Sequence, residues 1–471
     1  MRILHVIAGA PTGGAETFAQ DAIEALANEG VEQHVVCRPH VLAMHRYSAA
    51  SVSTTALSFS PQSRFLGGPR SIRCIADAWR ADLVHAWMAR AASFIPGGGI
   101  HGRMSCPVLG WLGGYYDLKY YQNVDCLAAV TPDICQYLRQ NGAPSHRTFL
   151  CHTFGTLADT SPVNREKLNT PSNAVVLLVL SRMHHKKGID TALQALSLLP
   201  GVYLWLAGDG PEMLRYETLS QRLGLSDRVR FLGWRTDRKS LLEAADICLL
   251  PSRYEPFGTV IAEAWSVRRP LIATPADGAR QYVRDGEDGV IFPFEGAEAL
   301  ARAVVRISSD KAFATRLCDN GFQKYERLFS RSVVVRDLLA TYRKAMQLGL
   351  RRDELFDVAD LSHHAVATLA RHLRVSVPDR LKSRVAIAAQ VALAYYSRNE
   401  GHDSSIALDA GLLELTGTRK FIEGCPGRRQ VRVLNDEAFD SCLDGVNLTA
   451  LRLQNAPFVD ALAFELDRPS W

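Results

Sequence analysis

The sequence contains few of the signals that mark metal-binding, secreted or membrane-spanning proteins. Its ten cysteines among 471 residues form no C-x-x-C pair, and no Cys/His set has the spacing of zinc ligands. No run approaches the roughly 18 uncharged apolar residues of a membrane span. The opening MRILHVIAGAP has too short an apolar run for a secretory signal. We therefore expect reduced thiols, no zinc site and a cytoplasmic location.

Strong charge and repetition are also missing. The formal net charge is only +5, and the chain has no short-period repeat or low-complexity tract. A charge balance this small does not indicate a nucleic-acid-binding protein. The remaining composition, 47% hydrophobic and 22% charged, is typical of a globular chain with ample core. The length predicts two domains and an extra module.

Short apolar runs alternate with helical segments through most of the chain. RILHVIA, EQHVVC, ADLVHAW and CPVLGWL are typical of buried parallel strands, and AVVLLVL, VYLWLAG and DICLLPS repeat the pattern after a polar linker at 155–173. The pattern predicts an α/β fold of two doubly wound, Rossmann-like domains, 1–160 and 170–345, that face a cleft. Residues 350–471 break the alternation and are interpreted as an appended module of unknown role.

Two glutamates stand close together in PSRYEPFGTVIAEAW. Glu255 precedes a Pro-Phe-Gly turn at the end of a predicted strand, and Glu263 lies in the helix that follows. Because a helix N-terminus presents unpaired amides, those of Phe257, Gly258 and Thr259 are candidate phosphate ligands. Either carboxylate can accept hydrogen bonds from sugar or ribose hydroxyls. The alternative is a solvated surface acid and an acid that merely stabilises its helix.

A basic cluster follows the first strand of the second predicted domain, in SRMHHKKGIDTALQAL. Arg182, Lys186 and Lys187 come after AVVLLVL and before a helix, so they are expected at the same edge of the sheet as the two glutamates. Cations at that place can neutralise a departing diphosphate. The alternative is a solvated basic turn.

Five ordered blocks give the sequence a specific resemblance. SRMHHKKGIDTALQAL, LAGDGPE, VRFLGW, LLEAADICLLPSRYEPFGTVIAEAW and LIAT…YVRDGEDGVIF occur in this order. Together they resemble the nucleotide-sugar domain of the GT-B retaining glycosyltransferases of the "glycosyl transferases group 1" type, whose mark is an E-x7-E pair. The resemblance covers residues 1 to about 345 and implies a GT-B fold with the donor bound by the second domain.

The resemblance implies roles for the charged candidates. In that family the first acid of the pair contacts the transferred sugar and the second contacts the ribose, which assigns these roles to Glu255 and Glu263. The cations after the first strand bind the donor diphosphate, which assigns that role to Arg182 and Lys187.

The resemblance also implies main-chain contacts to the donor. The loop after VRFLG holds the base in the family, here at Gly233 and Trp234. The turn amides of Phe257, Gly258 and Thr259 take the distal phosphate. The co-substrate is therefore expected to be a nucleotide-sugar, with UDP, GDP and ADP left open, and no cofactor is expected.

The acceptor half of the cleft is less clearly marked. Gly13 and Gly14 in APTGGAETF resemble the family's first glycine loop. Many relatives carry a Thr-x-His near the fourth strand, but this chain has GWLGGYYDLKYY there. Asp117 and Lys119 are the nearby polar candidates, and His85 at the end of DLVHAW is a candidate to reach the cleft, with a structural histidine as the alternative.

The resemblance predicts an enzyme that transfers a sugar to a glycan or lipid-linked acceptor in envelope, lipopolysaccharide or capsule biosynthesis, with retention of configuration. No D-x-D follows a strand, so no metal is expected. The alternatives are a GT-B epimerase, a phosphorylase or a non-catalytic sugar-nucleotide-binding protein. An arginine-bearing stretch at 44–73 further predicts peripheral contact with the inner face of the membrane.

Overall fold

The computed structural model describes residues 1–9, 13–39, 47, 50, 52–65, 67–97, 102–155, 157 and 159–350. It also describes a pair of two-residue strands, Ile406–Ala407 and Val431–Arg432. The appended module predicted at 350–471 otherwise lies outside the described residues.

The N-terminal domain is built on a seven-stranded parallel sheet with the order β3-β2-β1-β4-β5-β6-β7. Its strands are β1 (Arg2–Ile7), β2 (Glu32–Cys37), β3 (Ser53–Ala56), β4 (Leu83–Trp87), β5 (Val108–Leu112), β6 (Cys126–Ala129) and β7 (Thr148–Leu150). The strand order reverses at β1, which lies between β2 and β4. The carboxyl end of β1 is therefore at the place where such a sheet usually binds its ligand.

The C-terminal domain repeats this arrangement with a six-stranded parallel sheet of order β10-β9-β8-β11-β12-β13. Its strands are β8 (Val175–Leu180), β9 (Val202–Ala207), β10 (Val229–Gly233), β11 (Ile247–Leu250), β12 (Leu271–Ala273) and β13 (Val290–Ile291). The predicted α/β fold of two doubly wound domains is confirmed.

Helices cover the faces of both sheets. They are α1 (Gly14–Asn28), α2 (Pro61–Phe65), α3 (Gly68–Trp79), α4 (Met88–Ala92), α5 (Pro132–Gln140), α6 (Ile189–Ser197), α7 (Met213–Arg222), α8 (Arg238–Ala244), α9 (Thr259–Ser266), α10 (Asp277–Tyr282), α11 (Ala297–Ser309), α12 (Lys311–Leu328) and α13 (Arg331–Leu348). The three helices α11, α12 and α13 follow β13 in succession. The last of them, α13, returns to the N-terminal domain and packs against α1, β4 and β5.

The structure adds detail to two connecting segments. The stretch 44–73, for which the sequence predicted membrane contact, contributes β3, α2 and the start of α3 where it is described. The linker at 155–173 is held to the C-terminal domain, because the Arg165 guanidinium donates to both carboxylate oxygens of Asp246 at 3.0 Å. Burial of strand residues such as Val6 and Leu178, both 0% exposed, places the core under these sheets.

Candidate active site

The first predicted acid forms an ion pair across two loops of the C-terminal domain. Lys187 Nζ donates to Glu255 Oε2 at 2.6 Å, and both side chains are half-buried. Lys187 ends the short 3-10 helix His185–Lys187 after β8, whereas Glu255 follows β11, and β8 and β11 are neighbours in the sheet. The parallel order therefore brings the basic cluster and the first acid together, as predicted.

The turn between Glu255 and α9 is fixed by close backbone packing. Gly258 has φ of 81° and caps α9, a conformation that other residues rarely adopt. The Gly278 amide donates to the Glu255 carbonyl at 2.9 Å. A Cβ at Gly278 would lie 1.8 Å from the Phe257 carbonyl oxygen. The turn is thus held in one geometry, with the N-terminus of α9 behind it.

The second predicted acid is a buried carboxylate. Glu263 is 1% exposed. The Arg238 guanidinium donates to its Oε1, while its Oε2 is buried and has no hydrogen-bond partner among the described residues. Burial raises the pKa of Glu263, with a smaller contribution in the same direction from Asp21 and an opposing one from Arg238. Such an oxygen is suited to accept a hydrogen bond from a bound hydroxyl.

The three residues of the basic cluster differ in their exposure and in their contacts. Arg182 is exposed and forms no ion pair with any described residue. Lys186 is exposed, and its Nζ lies 4.9 Å from the centroid of the Tyr254 ring. Of the three predicted cations, Lys187 is the one that pairs with Glu255, whereas Arg182 has no acidic partner among the described residues.

The loop after β10 contains the two residues that were predicted to contact the base. The Gly233 carbonyl accepts from the Gly208 amide at 2.8 Å, which ties this loop to the end of β9. Trp234 is 64% exposed, so its indole lies on the surface and is not part of the hydrophobic core. Both residues lie at the carboxyl edge of the same sheet as Glu255 and Lys187.

The N-terminal domain faces the turn from across the cleft. A Cβ at Gly114 would lie 3.7 Å from Pro256 Cγ. The Asp133 amide donates to Gln281 Oε1 at 2.9 Å, which joins the two domains next to α10. Gly13 and Gly14 stand at the start of α1 after β1, as predicted, and the Glu16 side chain lies against Gly13.

The structure places the two acceptor-side candidates differently. His85 is 0% exposed in the middle of β4, its Nδ1 hydrogen-bonds Tyr342 Oη at 2.7 Å, and burial holds its pKa well below the usual range. It lies under α13 and does not reach the cleft, so the structural alternative is correct. Asp117 pairs with Lys119 at 2.8 Å on the surface and accepts from its amide.

The comparisons with known proteins agree with this arrangement. Residues 160–324 match the family "Glycosyl transferases group 1", and residues 12–154 match "Glycosyltransferase Family 4". The chain is 34% identical over 336 residues to the lipopolysaccharide core biosynthesis glycosyltransferase LpsE of Rhizobium meliloti, a match that covers 71% of this chain and 96% of the relative. The chain belongs to the group 1 glycosyltransferases. Rhizobium meliloti LpsD, also named a lipopolysaccharide core biosynthesis glycosyltransferase, is 32% identical over the same share.

Solved structures show the fold of this glycosyltransferase. Anabaena HepE in complex with UDP-glucose superposes with a TM-score of 0.64 at 22% identity, over 73% of this chain and 99% of the other. Sucrose-phosphate synthase from Thermosynechococcus elongatus gives 0.62 at 24% identity, over 74% and 100%. The GT-B fold predicted for residues 1 to about 345 is confirmed. The family assignment favours a glycosyltransferase over the three alternatives, which were an epimerase, a phosphorylase and a non-catalytic binding protein.

One residue of the candidate site was not identified from the sequence. Arg238 opens α8 and pairs with Glu263, 25 positions later. Arg238 lies in the first turn of its helix, where the helix dipole disfavours positive charge, and a cation at such a place is a signal that it serves another partner.

Two features are absent from the described part of the glycosyltransferase. There, no group of three or more His, Cys, Asp or Glu side chains is placed to hold a metal ion. None of the helices within it combines the length and apolar character that a bilayer crossing requires.

Proposed function

We propose that this glycosyltransferase moves a sugar from a nucleotide-sugar donor to a glycan or lipid-linked acceptor of lipopolysaccharide, with retention of anomeric configuration. The observation that carries the proposal is the half-buried Lys187–Glu255 pair at 2.6 Å beside the N-terminus of α9. The acceptor class is supported by LpsE and LpsD, which are named for lipopolysaccharide core biosynthesis.

The donor diphosphate fits the positive side of this arrangement. Lys187, the exposed Arg182 and the amides at the start of α9 supply positive charge on one side of the turn. When the bond from sugar to phosphate breaks, negative charge grows on the leaving diphosphate, and these groups stabilise it without a metal ion. Lys187 would then exchange part of its contact with Glu255 for the phosphate.

The two glutamates have different tasks in this proposal. Glu255, held by Lys187, contacts the transferred sugar, where positive charge develops. Glu263 offers its unpartnered Oε2 to a ribose hydroxyl while Arg238 holds Oε1. The ribose contact is the same in the ground and transition states, whereas the contact to the sugar strengthens during reaction.

Retention is proposed to need no protein nucleophile. The acceptor hydroxyl attacks the anomeric carbon on the face that the diphosphate leaves. The hydroxyl proton passes to the departing phosphate oxygen as the new bond forms. Configuration is thereby kept in one displacement on the same face.

The experiment has two steps. A thermal-shift screen of UDP-, GDP- and ADP-sugars identifies the donor, since a ligand at 100 times its Kd stabilises by about 2.7 kcal/mol. NMR of the first-formed product with a lipopolysaccharide-core acceptor then gives the anomeric configuration. An inverted linkage would refute retention, and the absence of any stabilising nucleotide-sugar would refute the donor assignment.

We also propose that the enzyme works in the cytoplasm at the inner membrane surface, where a lipid-linked acceptor is found. Support comes from exposed cations on the N-terminal domain, such as Arg64 and Arg70 on neighbouring helices. Each well-placed cation adds roughly 1 kcal/mol of attraction to anionic lipid. Salt-sensitive co-flotation with anionic liposomes is expected, and equal flotation with neutral liposomes would contradict it.

A further inference from the structure

Two arginines of the N-terminal domain lie on either side of the carboxyl end of β1. Arg38 directly follows β2, and Arg90 lies in α4 directly after β4, the strands that neighbour β1 in the sheet. Arg90 Nη1 donates to the Ala8 carbonyl at 3.5 Å, and Arg38 Nη2 donates to the Phe59 carbonyl at 3.3 Å. Both guanidiniums thus lie at the sheet edge that faces the cleft.

Neither guanidinium has an acidic partner among the residues that the structure describes. Arg38 and Arg90 take part in none of the ion pairs of the described residues, and their hydrogen bonds go to neutral carbonyls. The undescribed positions before residue 351 contain no Asp or Glu that could serve. A guanidinium has several further N–H donors, so most of the donors of both arginines remain available.

The two positive charges repel each other at this place. The pKa of Arg38 lies below its ordinary value, first because the group is partly buried and second because Arg90 is nearby. A structural pair would be expected to include a carboxylate between the two charges. An arrangement that keeps two like charges together, with no carboxylate paired to either in the described part of the chain, suits an anion that arrives from outside.

The segment that carries Arg90 is held firmly. Met88 has φ of 64° at the start of α4, in the left-handed region that a bulky side chain rarely adopts. The preceding Trp87 is 2% exposed and donates from Nε1 to His5 Nδ1 at 3.1 Å. Backbone strain of this kind persists where the surroundings enforce it, and it is concentrated at binding sites.

We propose that Arg38 and Arg90 form a binding site for a phosphate group carried by the saccharide acceptor. The inference rests on the proposed function, because it places the acceptor over the carboxyl end of β1, opposite the donor half at Lys187 and Glu255. A phosphate monoester carries nearly two negative charges, which balance the two guanidiniums and match their planar donor geometry. The enzyme then selects a phosphorylated acceptor over its neutral analogue.

The test uses the full chain and glucose 6-phosphate as the probe, with glucose as its uncharged analogue. Binding is measured by calorimetry for wild type, Arg38→Gln and Arg90→Gln. Arg70→Gln, an exposed arginine on α3, removes the same charge elsewhere in the domain. Arg182→Gln removes a cation from the donor half. Arg90→Lys keeps the charge but loses the fork-shaped donor set.

Glucose 6-phosphate affinity is expected to fall about 10- to 100-fold in Arg38→Gln and Arg90→Gln, and less in Arg90→Lys. It should stay within about twofold of wild type in Arg70→Gln. Nucleoside-diphosphate affinity should fall in Arg182→Gln and stay unchanged in Arg38→Gln and Arg90→Gln. Thermal unfolding of each variant separates these effects from misfolding.

Three outcomes would overturn the inference: no preference of wild type for glucose 6-phosphate over glucose, wild-type affinity in both glutamine variants, or an equal loss in Arg70→Gln. Failure of the proposed function would give a different experimental result. A chain that binds glucose 6-phosphate through Arg38 and Arg90, but neither binds nor turns over a nucleotide-sugar, keeps this site and loses the transferase assignment.

Discussion

Replacing each of the two glutamates by glutamine should affect different kinetic constants. Glu263 is buried with one oxygen on Arg238 and the other without a partner. Glutamine keeps the shape but replaces a charged acceptor by a neutral amide whose NH2 group cannot accept a hydrogen bond from a hydroxyl. The lost ribose contact corresponds to about 1–3 kcal/mol, which is roughly 5- to 150-fold in donor affinity.

Glu255→Gln should act on the chemical step. Lys187 loses its 2.6 Å carboxylate partner but keeps its charge for the diphosphate, so nucleotide binding should change little. The negative charge next to the developing positive sugar is gone, and we expect kcat to fall about 10²-fold or more, which is about 2.7 kcal/mol of barrier. A contact made only in the transition state is lost from kcat, whereas uniform binding is lost from KM.

The assay is steady-state transfer together with calorimetry of the free nucleoside diphosphate. Glu298→Gln, an exposed acid on α11 whose side chain is 82% exposed, is the matched control for the change of charge in the same domain. All three variants must show wild-type thermal unfolding. If Glu255→Gln keeps full kcat and Glu263→Gln keeps full nucleotide affinity, the assignment of both acids fails.

Three further results are expected. Burial raises the pKa of Glu263, so its carboxylate becomes protonated at a higher pH than an ordinary Glu. Nucleotide binding that needs this carboxylate should therefore weaken as pH falls towards that raised pKa. Calorimetry of Glu263→Gln should show no such pH dependence. Burial lowers the pKa of His5 from 6.5 to about 3, so its contribution to stability is full above pH 6.5 and is lost as pH falls towards 3; the loss of unfolding free energy between neutral pH and pH 5, measured in urea, should be about 2 kcal/mol smaller in His5→Gln than in wild type. Tyr342→Phe leaves both nitrogens of His85 without a partner and should lower the free energy of unfolding by about 1–3 kcal/mol at unchanged kcat.

The strands that the sequence predicted best are those buried on both faces. Leu83–Trp87 and Val108–Leu112 are buried at every position, and such strands are continuous apolar runs in the sequence. β3 was missed because Ser53–Ala56 is the edge strand of its sheet, with both ends exposed and polar residues between them. Edge position is a property of the assembled sheet, so a short polar strand there has no local pattern.

The grouping of the proposed donor residues could be predicted because these residues belong to two contiguous stretches. Glu255, the turn and Glu263 lie within one strand–turn–helix unit, and Lys187 lies at the end of the neighbouring strand. Parallel order alone then brings them to one edge. Arg238 could not be paired with Glu263 in the same way, because its helix precedes β11 and only the packing of α8 decides which acid it meets.

The acceptor half depends on contacts that no local pattern contains. His85 and Arg90 are five positions apart, yet one lies in the core and the other at the cleft edge. Strand alternation turns His85 to the face that α13 covers, and its partner Tyr342 is 257 positions away in the chain. Arg90 reaches the end of β1 because Met88 takes a left-handed conformation that would ordinarily be marked by glycine. The sequence WMAR has no such mark, so the turn that directs Arg90 to Ala8 is set by the packing of Trp87 below it, and the acceptor side follows from the folded domain as a whole.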